Sequence, residues 1–212
     1  EVSLPNLGFS GDRLYRPITT DTNALLPYQG TILSIDPAGM GKDEIGYAVV
    51  SHLSGMIYVP DFGGISGGYS QENLIKLAEI AERYQVNKIV MERNFGDGMF
   101  ASLLQPVLNV IYPCMIEEVR NSTQKELRII DTLEPLLNQH RLVMDYSNLL
   151  NDTNDALREG NHRGVQHSFL FQMTHITKER GSLIHDDVID VLSLGVGYWN
   201  EYGVLKQNTD LA

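Results

Sequence analysis

The stretch TILSIDPAGMGKDEIGYAVVSHLSGMIYV, residues 31–59, decides the fold that this sequence predicts. It holds three short runs rich in apolar and β-branched residues, a composition typical of buried strands. The runs cover residues 31–35, 45–52 and 56–59. Ser54-Gly55 lies between the last two runs as a tight turn, and the first run ends at Asp36-Pro37. Short connections between consecutive strands favour an antiparallel three-strand meander.

The apolar period changes after this stretch, which predicts that helices and strands alternate. Apolar residues recur at helical spacing after Ser70, a good cap residue, and a strand over residues 88–91 then ends at Glu92. Later helices are predicted after Gly98 and over residues 123–138, 146–158, 168–178 and 186–202, and strands or extended links near 114–119 and 141–145. This order predicts an α/β fold: a mixed sheet, flanked by helices, in which the strand before Glu92 pairs in parallel with the first strand.

The 212 residues are enough for one domain that buries roughly 70% of its unfolded surface. Residues 1–29 are rich in Pro, Gly, Asn and Thr without a sustained apolar period, which predicts an extended N-terminal arm or linker. Residues 30–212 are then the folded domain. Because the sequence does not begin with Met, we expect it to be part of a longer chain.

Composition excludes several classes of protein. Cys114 is the single cysteine, so neither an internal disulfide nor a thiolate metal site is possible, which favours a reducing intracellular setting. The sequence has no apolar run of about 18 residues and no signal-peptide pattern at its start. The net charge of −11 argues against a protein whose main role is to bind nucleic acid tightly, since such proteins usually carry a basic face.

Acidic residues follow two of the predicted strands and begin the last helix. Asp36 and Glu92 come at the carboxyl ends of strands predicted to be neighbours, about 4.8 Å apart, so the two carboxylates can share one cation. Asp186, Asp187 and Asp190 lie at the start of the last helix with spacings of three and four residues, which brings them toward one side of it.

A set of oxygen ligands favours Mg²⁺ or Mn²⁺, and two such ions about 3.5–4 Å apart support in-line cleavage of a phosphodiester. The acids therefore indicate a metal-dependent nuclease. Each has a structural alternative: an Asp before Pro is commonly a turn residue, and acids at a helix start favour the helix dipole.

Three motifs in this order resemble the C-terminal nuclease domain of tailed-phage terminase large subunits, most closely the podovirus type: IDPAGMGKDEIGYAVV, IVMERNFGDGMF and ITKERGSLIHDDVIDVLSLGVGYW. The resemblance covers about residues 30–202 and implies a ribonuclease H-like fold. It implies Asp36 as the first metal ligand and Glu92 as the second, with the third from the pair Asp186-Asp187. We favour Asp187, then Asp186, then Asp190.

The resemblance implies an endonuclease that uses Mg²⁺ or Mn²⁺, two ions in all, to cut concatemeric double-stranded DNA during viral genome packaging. The partners it implies are DNA, an N-terminal ATPase domain of the same full-length protein, the portal or procapsid, and the small terminase subunit. It implies no membrane association and a location in the cytoplasm of the host cell. Two rival functions remain open: another ribonuclease H-like nuclease, such as a junction resolvase or an RNA·DNA hybrid nuclease, and a non-catalytic docking module.

Several weaker signals complete the sequence's predictions. Gly39-Met40-Gly41-Lys42 fails as a phosphate-binding loop, because that motif needs Gly at position 36 and Ser or Thr at position 43, where the chain has Asp36 and Asp43. Asp43 is an outside candidate for the second ion, and His185 is a candidate to orient a ligand or cap the helix. The glycine-rich segments 63–68 and 96–98 are predicted loops. Candidate DNA phosphate contacts are Arg158, His162, Arg163, His167, Lys178 and Arg180.

Overall fold

The structure, a computed structural model, describes residues 2–3, 13–15, 25–37, 44–93, 98–120, 123–158 and 164–201. The strands in these segments are β1 (Val2–Ser3), β2 (Arg13–Leu14), β3 (Gly30–Asp36), β4 (Ile45–Leu53), β5 (Met56–Ile65), β6 (Lys88–Glu92), β7 (Ile116–Val119) and β8 (Leu142–Met144). The helices are α1 (Gln71–Arg83), α2 (Met99–Ile111), α3 (Lys125–Asn138), α4 (Tyr146–Leu157), α5 (Phe169–His175) and α6 (Asp187–Glu201), with a short 3-10 helix (Val165–His167) before α5.

Six of these strands form one mixed sheet in the order β7-β6-β3-β4-β5-β8. Strand β4 runs antiparallel to both β3 and β5, whereas the pairs β3–β6, β6–β7 and β5–β8 are parallel. The predicted meander, the mixed sheet and the parallel pairing of the first strand with the strand before Glu92 are all confirmed. The carboxyl ends of five strands and the start of β4 therefore lie along one edge of the sheet.

Two predicted boundaries are wrong. The third strand continues past its predicted end to Ile65, because Gly63 and Gly64 pair with β4 instead of forming a loop. At Gly63, an added Cβ would lie 3.2 Å from the Tyr47 ring, so the missing side chain leaves room for that ring. Helix α5 ends at His175, not near residue 178, because the N–H of Thr177 donates to the Ser182 hydroxyl at 3.2 Å instead of continuing the helix.

The sheet has a hydrophobic core on each face because side chains alternate along its strands. Leu33 and Ile35 of β3 pack with α1 and α2 on one face. Ile32 of β3 and Val90 of β6 belong to the other core, together with apolar residues of α3, α4, α5 and α6. The helices therefore cover both faces, as the sequence predicts.

Helix α6 packs closely against the middle of the sheet. An added Cβ on Gly195 would lie 2.6 Å from Val50 Cγ2 and 2.8 Å from Ser34 Oγ, so this glycine permits the close approach. Near the other end of the helix, Trp199 is 8% exposed and donates from Nε1 to the Val50 carbonyl oxygen at 3.1 Å. Trp199 is thus a core residue.

Of residues 1–29, the structure describes 2–3, 13–15 and 25–29, and β1 pairs with β2 in a separate two-stranded sheet. That residues 1–29 form an extended arm or linker stays a prediction. In the described segments, every helix is too short or too polar to be a membrane-spanning candidate.

Candidate active site at the carboxyl edge of the sheet

Asp36 and Glu92 end neighbouring parallel strands and project from the same face of the sheet. Ile35 pairs with Met91, so Asp36 and Glu92 each follow the last pair by one residue. Ser34, two residues before Asp36, donates from Oγ to the Val191 carbonyl of α6 at 2.8 Å. Since alternate side chains share a face, Asp36 also points toward α6. The strand-end acids are therefore brought together.

The beginning of α6 brings further acids to this edge. Gly46 pairs with Asp36 across β3 and β4, and an added Cβ on Gly46 would lie 2.6 Å from the Asp187 carbonyl oxygen. That close approach holds the first residue of α6 opposite the end of β3. Asp190, one turn later, donates its N–H to the Asp186 carbonyl at 2.9 Å, and its side chain is 2% exposed.

The carboxylates act on one another electrostatically. The pKa of Asp36 is raised to about 7, first by burial and then by the charge of Asp190. Lys125 lowers the pKa of Asp36 in part, whereas Glu92 and Asp187 raise it. A carboxyl group with so high a pKa lies among acids whose combined charge is only partly balanced by protein cations.

Two cations from α3 contact this group of acids, and sequence reasoning missed both. Lys125 Nζ lies 2.8 Å from Asp186 Oδ1 and 3.0 Å from Asp190 Oδ2. Arg128 lies 2.8 Å from Asp190 Oδ1 and 3.6 Å from Glu92 Oε2. Burial lowers the pKa of Lys125, but the charges of Asp190 and Asp186 outweigh it and hold that pKa above its usual value.

The signal for these cations in the sequence is their spacing. Lys125 and Arg128 are three residues apart, so they share one face of α3. Such a pair usually indicates a solvated helix face, but here that face packs against α6. The contacts also separate the three acids of the last motif: Asp186 and Asp190 form ion pairs with α3, and Asp187 lies nearer to two histidines.

Those histidines are His167, in the 3-10 helix, and His185, just before α6. Their rings stack with centroids 3.7 Å apart and an interplanar angle of 24°. One possible ligand atom from each of His167, His185 and Asp187 lies within 4.8 Å of the others. Glu44, which is 5% exposed, places Oε2 at 3.8 Å from His167 Nδ1. His167, a predicted DNA contact, is therefore part of the interior of the site.

The donors at this edge suit divalent cations. Carboxylates from β3, β6 and α6 offer the oxygen ligands that Mg²⁺ and Mn²⁺ prefer, and their mutual repulsion falls when a cation binds among them. The raised pKa of Asp36, caused first by burial and then by the charges of neighbouring acids, supports this fit, because a bound cation would favour the ionised form.

The remaining predicted residues lie around this edge or outside the described segments. Asp43, His162 and Arg163 are outside the residues that the structure describes. Arg158 ends α4, and the Lys178 carbonyl accepts from Gln124 Nε2 at 3.1 Å, beside the start of α3. Gly67 and Gly68 have φ values of +99° and +61°, as expected for a connecting loop.

Comparison with known proteins agrees with this architecture. The nuclease domain of the human cytomegalovirus terminase superposes with a TM-score of 0.55 at 15% identity, covering 88% of this chain and 89% of that one. The nuclease domain of the large terminase subunit of bacterial virus Sf6 gives a TM-score of 0.53 at 12% identity, covering 82% and 90%. At these identities the likeness shows the fold, which is ribonuclease H-like.

Sequence comparison shows the family. The chain is 42% identical over 197 residues to the terminase large subunit of enterobacteria phage T3, covering 92% of this chain and 33% of that protein. It therefore spans about a third of the length of that relative. A family model, described as the ribonuclease H-like domain of the bacteriophage T7 terminase, matches residues 35–142. The chain therefore belongs to the family of ribonuclease H-like domains of T7-type phage terminases.

Proposed function

We propose that this chain is a metal-dependent endonuclease that cleaves concatemeric double-stranded DNA during viral genome packaging. The observation that carries the proposal is the meeting of carboxylates from β3, β6 and α6 at one edge of the sheet, where burial and the other acids raise the pKa of Asp36 to about 7. Membership in the terminase family supports the same function and favours it over a junction resolvase or a hybrid nuclease.

The ligands we propose are Asp36, Glu92 and Asp187. Asp36 ends β3, which lies between β6, where Glu92 ends the strand, and β4, whose Gly46 contacts Asp187, so Asp36 would serve both ions. Glu92 would hold one ion and Asp187 the other. We prefer Asp187 over Asp190 because Asp190 is 2% exposed and already contacts both Lys125 and Arg128.

The ions we propose are Mg²⁺ or Mn²⁺, two in all. When bound, such ions activate a water molecule for attack and stabilise the leaving oxygen of a phosphodiester. The fold of the chain sets the positions of the three proposed ligands. Strand pairing sets the spacing of Asp36 and Glu92, and the close packing of Gly46 against α6 sets the place of Asp187.

Lys125 and Arg128 would act as positioning residues. Their ion pairs with Asp186 and Asp190 join α3 to the beginning of α6 and balance charge that would otherwise be added to the ligand group. A buried carboxylate such as Asp190 is costly without such partners. Substitution of Lys125 or Arg128 is therefore expected to shift α6 and so to weaken metal binding.

The proposal extends to the longer protein to which such a domain belongs. There an N-terminal ATPase domain would drive DNA, the arm over residues 1–29 would connect it to this domain, and the portal or procapsid and the small subunit would be partners in the host cytoplasm. Basic residues near the site, Arg158, Lys178 and Arg180, would contact DNA phosphates.

Plasmid cleavage in Mg²⁺ or Mn²⁺ tests the proposal directly. The 212-residue chain should cut supercoiled and linear duplex DNA, and the variants Asp36→Asn and Glu92→Gln should lose at least about 100-fold in rate, since each removes a charged ligand from the site. Glu117→Gln is the matched control, because Glu117 of β7 pairs with Lys88 at the start of β6, whereas Glu92 lies at the other end of that strand.

Several results would contradict the proposal. Cleavage retained in both Asp36→Asn and Glu92→Gln would remove these residues from the site. Preferential cutting of four-way junctions or RNA·DNA hybrids over plain duplex would favour the rival nucleases. No divalent-ion binding by calorimetry, together with intact binding to motor partners, would favour the non-catalytic docking module.

A further inference from the structure

The two stacked histidines bring nitrogen donors to this edge, which a site built from oxygen ligands does not require. They come from separate elements, His167 from the 3-10 helix and His185 from the residue pair before α6. Ring centroids 3.7 Å apart and a tilt of 24° stack the two imidazoles face to face. The Asp187 carboxylate completes a group of three possible ligand atoms within 4.8 Å of one another.

We propose that His167, His185 and Asp187 form a mixed nitrogen and oxygen site for a transition-metal ion such as Mn²⁺ or Zn²⁺. The inference deepens the proposed function and rests on it in one respect, since Asp187 is also a proposed ligand of the catalytic ions. Imidazole nitrogen suits Zn²⁺ and similar transition-metal ions, and Mn²⁺, although it prefers oxygen, also accepts imidazole beside carboxylate ligands, whereas Mg²⁺ prefers oxygen and keeps several waters.

The surroundings of His167 are those of a positioned metal ligand. Glu44 lies next to β4, and its Oε2 atom is 3.8 Å from His167 Nδ1, on the side of the ring away from Nε2. That separation is longer than a hydrogen bond, but carboxylates commonly orient metal-binding imidazoles through the ring nitrogen that does not bind the metal, and a small approach would give Glu44 this role. Glu44 is itself held, because Ser66 Oγ donates to its Oε1 atom at 2.9 Å. Glu44 is therefore a positioning residue in this proposal.

Asp187 connects the mixed site to the strand-end acids. Its charge acts on Asp36, and its carbonyl oxygen lies against Gly46, the partner of Asp36 across the sheet. An ion held by the two histidines would therefore share a ligand with the catalytic centre. The consequence is a metal preference: ions that accept nitrogen ligands should bind here more tightly than Mg²⁺ does.

Pulsed electron paramagnetic resonance of Mn²⁺ bound to the 212-residue chain tests this site without relying on catalysis. Mn²⁺ added at one and at two equivalents should show the ¹⁴N couplings of coordinated imidazole. His167→Gln and His185→Gln should each reduce these couplings, and the double variant should remove them. His175→Gln is the control, since His175 lies in α5 with Nδ1 against the Phe171 carbonyl.

Zn²⁺ calorimetry gives a second measurement. Loss of an outer partner of a metal ligand costs about 10–100-fold in affinity, so loss of His167 or His185 should weaken Zn²⁺ binding at least tenfold. Glu44→Gln should weaken it less, and Mg²⁺ affinity should stay within about twofold in all three variants. Circular dichroism and thermal melts identify any variant that fails to fold, and the ¹⁴N signal of the wild-type chain then decides alone.

The outcomes separate this inference from the proposed function. No ¹⁴N coupling in the wild-type chain overturns the mixed site, and couplings that depend on His185 but not on His167 overturn it as stated. Asp36→Asn retains both histidines, so it should keep the ¹⁴N couplings while losing DNA cleavage. Cleavage lost in Asp36→Asn without any ¹⁴N coupling in the wild type would leave the nuclease standing and remove only the mixed site.

Discussion

The ionised carboxylate of Asp36 lowers the stability of the metal-free chain. The carboxyl group lies at the end of a buried strand, and its pKa rises from 3.8 to about 7 because of burial and the charges of Asp190, Glu92 and Asp187. A group that is harder to ionise in the folded chain than in the unfolded chain lowers stability whenever it is ionised. A bound cation reverses this, since it stabilises the ionised form.

We predict that Asp36→Asn abolishes metal-dependent cleavage and stabilises the metal-free chain. The side chain keeps its shape but loses its charge, and a shift from 3.8 to about 7 corresponds to a gain on the order of 2–4 kcal/mol at pH 8. Urea denaturation in the presence of a chelator measures the free energy of unfolding of the variant and of the wild type.

The pH dependence of that difference has a definite sign. Because the folded pKa of Asp36 is raised, the wild type suffers the full penalty above about pH 7, and the penalty fades as the pH falls toward 3.8. The advantage of Asp36→Asn should therefore shrink between pH 8 and pH 5. An unchanged difference across that range, or a less stable variant at pH 8, would show that Asp36 is not under electrostatic stress.

At this scale the sequence predicted the acids and missed their partners. Asp36 and Glu92 stand out because an acid at the carboxyl end of a buried strand is conspicuous in the chain itself. Lys125 and Arg128 do not, since a charged residue on a helix is usually solvated, and the sequence predicts His167 only as a DNA contact. The packing of α3 against α6, and the stacking of His167 on His185, turn these three side chains inward.

At the scale of elements, α6 decides where the site forms. It lies across β3 and β4, with Ser34 donating to Val191 in its first half and Trp199 donating to Val50 in its second half. Gly195 permits the close approach between these points. The acids at the start of α6 reach the strand ends because the rest of the helix packs closely on the sheet.

We predict opposite effects for two glycines in α6. Gly195→Ala should destabilise the chain by about 1–3 kcal/mol, because the new Cβ would lie 2.6 Å from Val50 Cγ2. Gly197→Ala should stabilise it by about 0.5–1 kcal/mol, because its Cβ would meet nothing within 4 Å and alanine favours a helix.

Thermal or urea unfolding of both variants checks this pair, and each serves as the control of the other. Gly195→Ala should also weaken Mn²⁺ binding, since a shift of α6 moves Asp187 relative to Asp36. Equal stabilities for the two variants would mean that α6 adjusts its position on the sheet easily.

The sheet was the part of the fold most open to prediction. The strands before Asp36 and Glu92 are short apolar runs bounded by turn residues, and a helix between them favours parallel pairing. The extension of β5 through Gly63 and Gly64 was not predictable from local pattern, because glycines indicate a loop unless a neighbouring strand pairs with them. The end of α5 likewise depends on the hydrogen bond from the N–H of Thr177 to the hydroxyl of Ser182, five residues after it.

At the scale of the whole molecule, charge limits what the chain can do alone. The net charge is −11, and cations that bind at the site would offset only part of it. DNA binding draws most of its affinity from basic groups that displace counterions from the phosphates. If the proposed function holds, so acidic a chain should depend on other parts of the full-length protein to hold DNA.

We predict weak and strongly salt-dependent binding of duplex DNA by the 212-residue chain. The dissociation constant should exceed about 10⁻⁶ M at physiological salt, and affinity should fall steeply between about 50 and 200 mM salt. Fluorescence anisotropy with a labelled duplex and a catalytically inactive Asp36→Asn chain measures both quantities.

Two substitutions refine this experiment. Lys178→Gln and Arg180→Gln should each reduce the slope of log affinity against log salt by about one if these side chains contact phosphates. Lys76→Gln on α1 is the control, because α1 packs on the opposite face of the sheet from α6. Tight, salt-insensitive binding in the absence of metal would contradict the expectation that other parts of the full-length protein supply most of the DNA affinity.

The sequence by itself determined the strand and helix order, the mixed sheet and the acids at the strand ends, because apolar period and strand-end position are local properties of a chain. The tertiary structure alone decided which charges face those acids. The ion pairs of Lys125 and Arg128, and the stacking of His167 on His185, join residues far apart in sequence. Such contacts depend on how α3 packs against α6 and how the 3-10 helix meets the residues just before α6, and no local pattern encodes that packing.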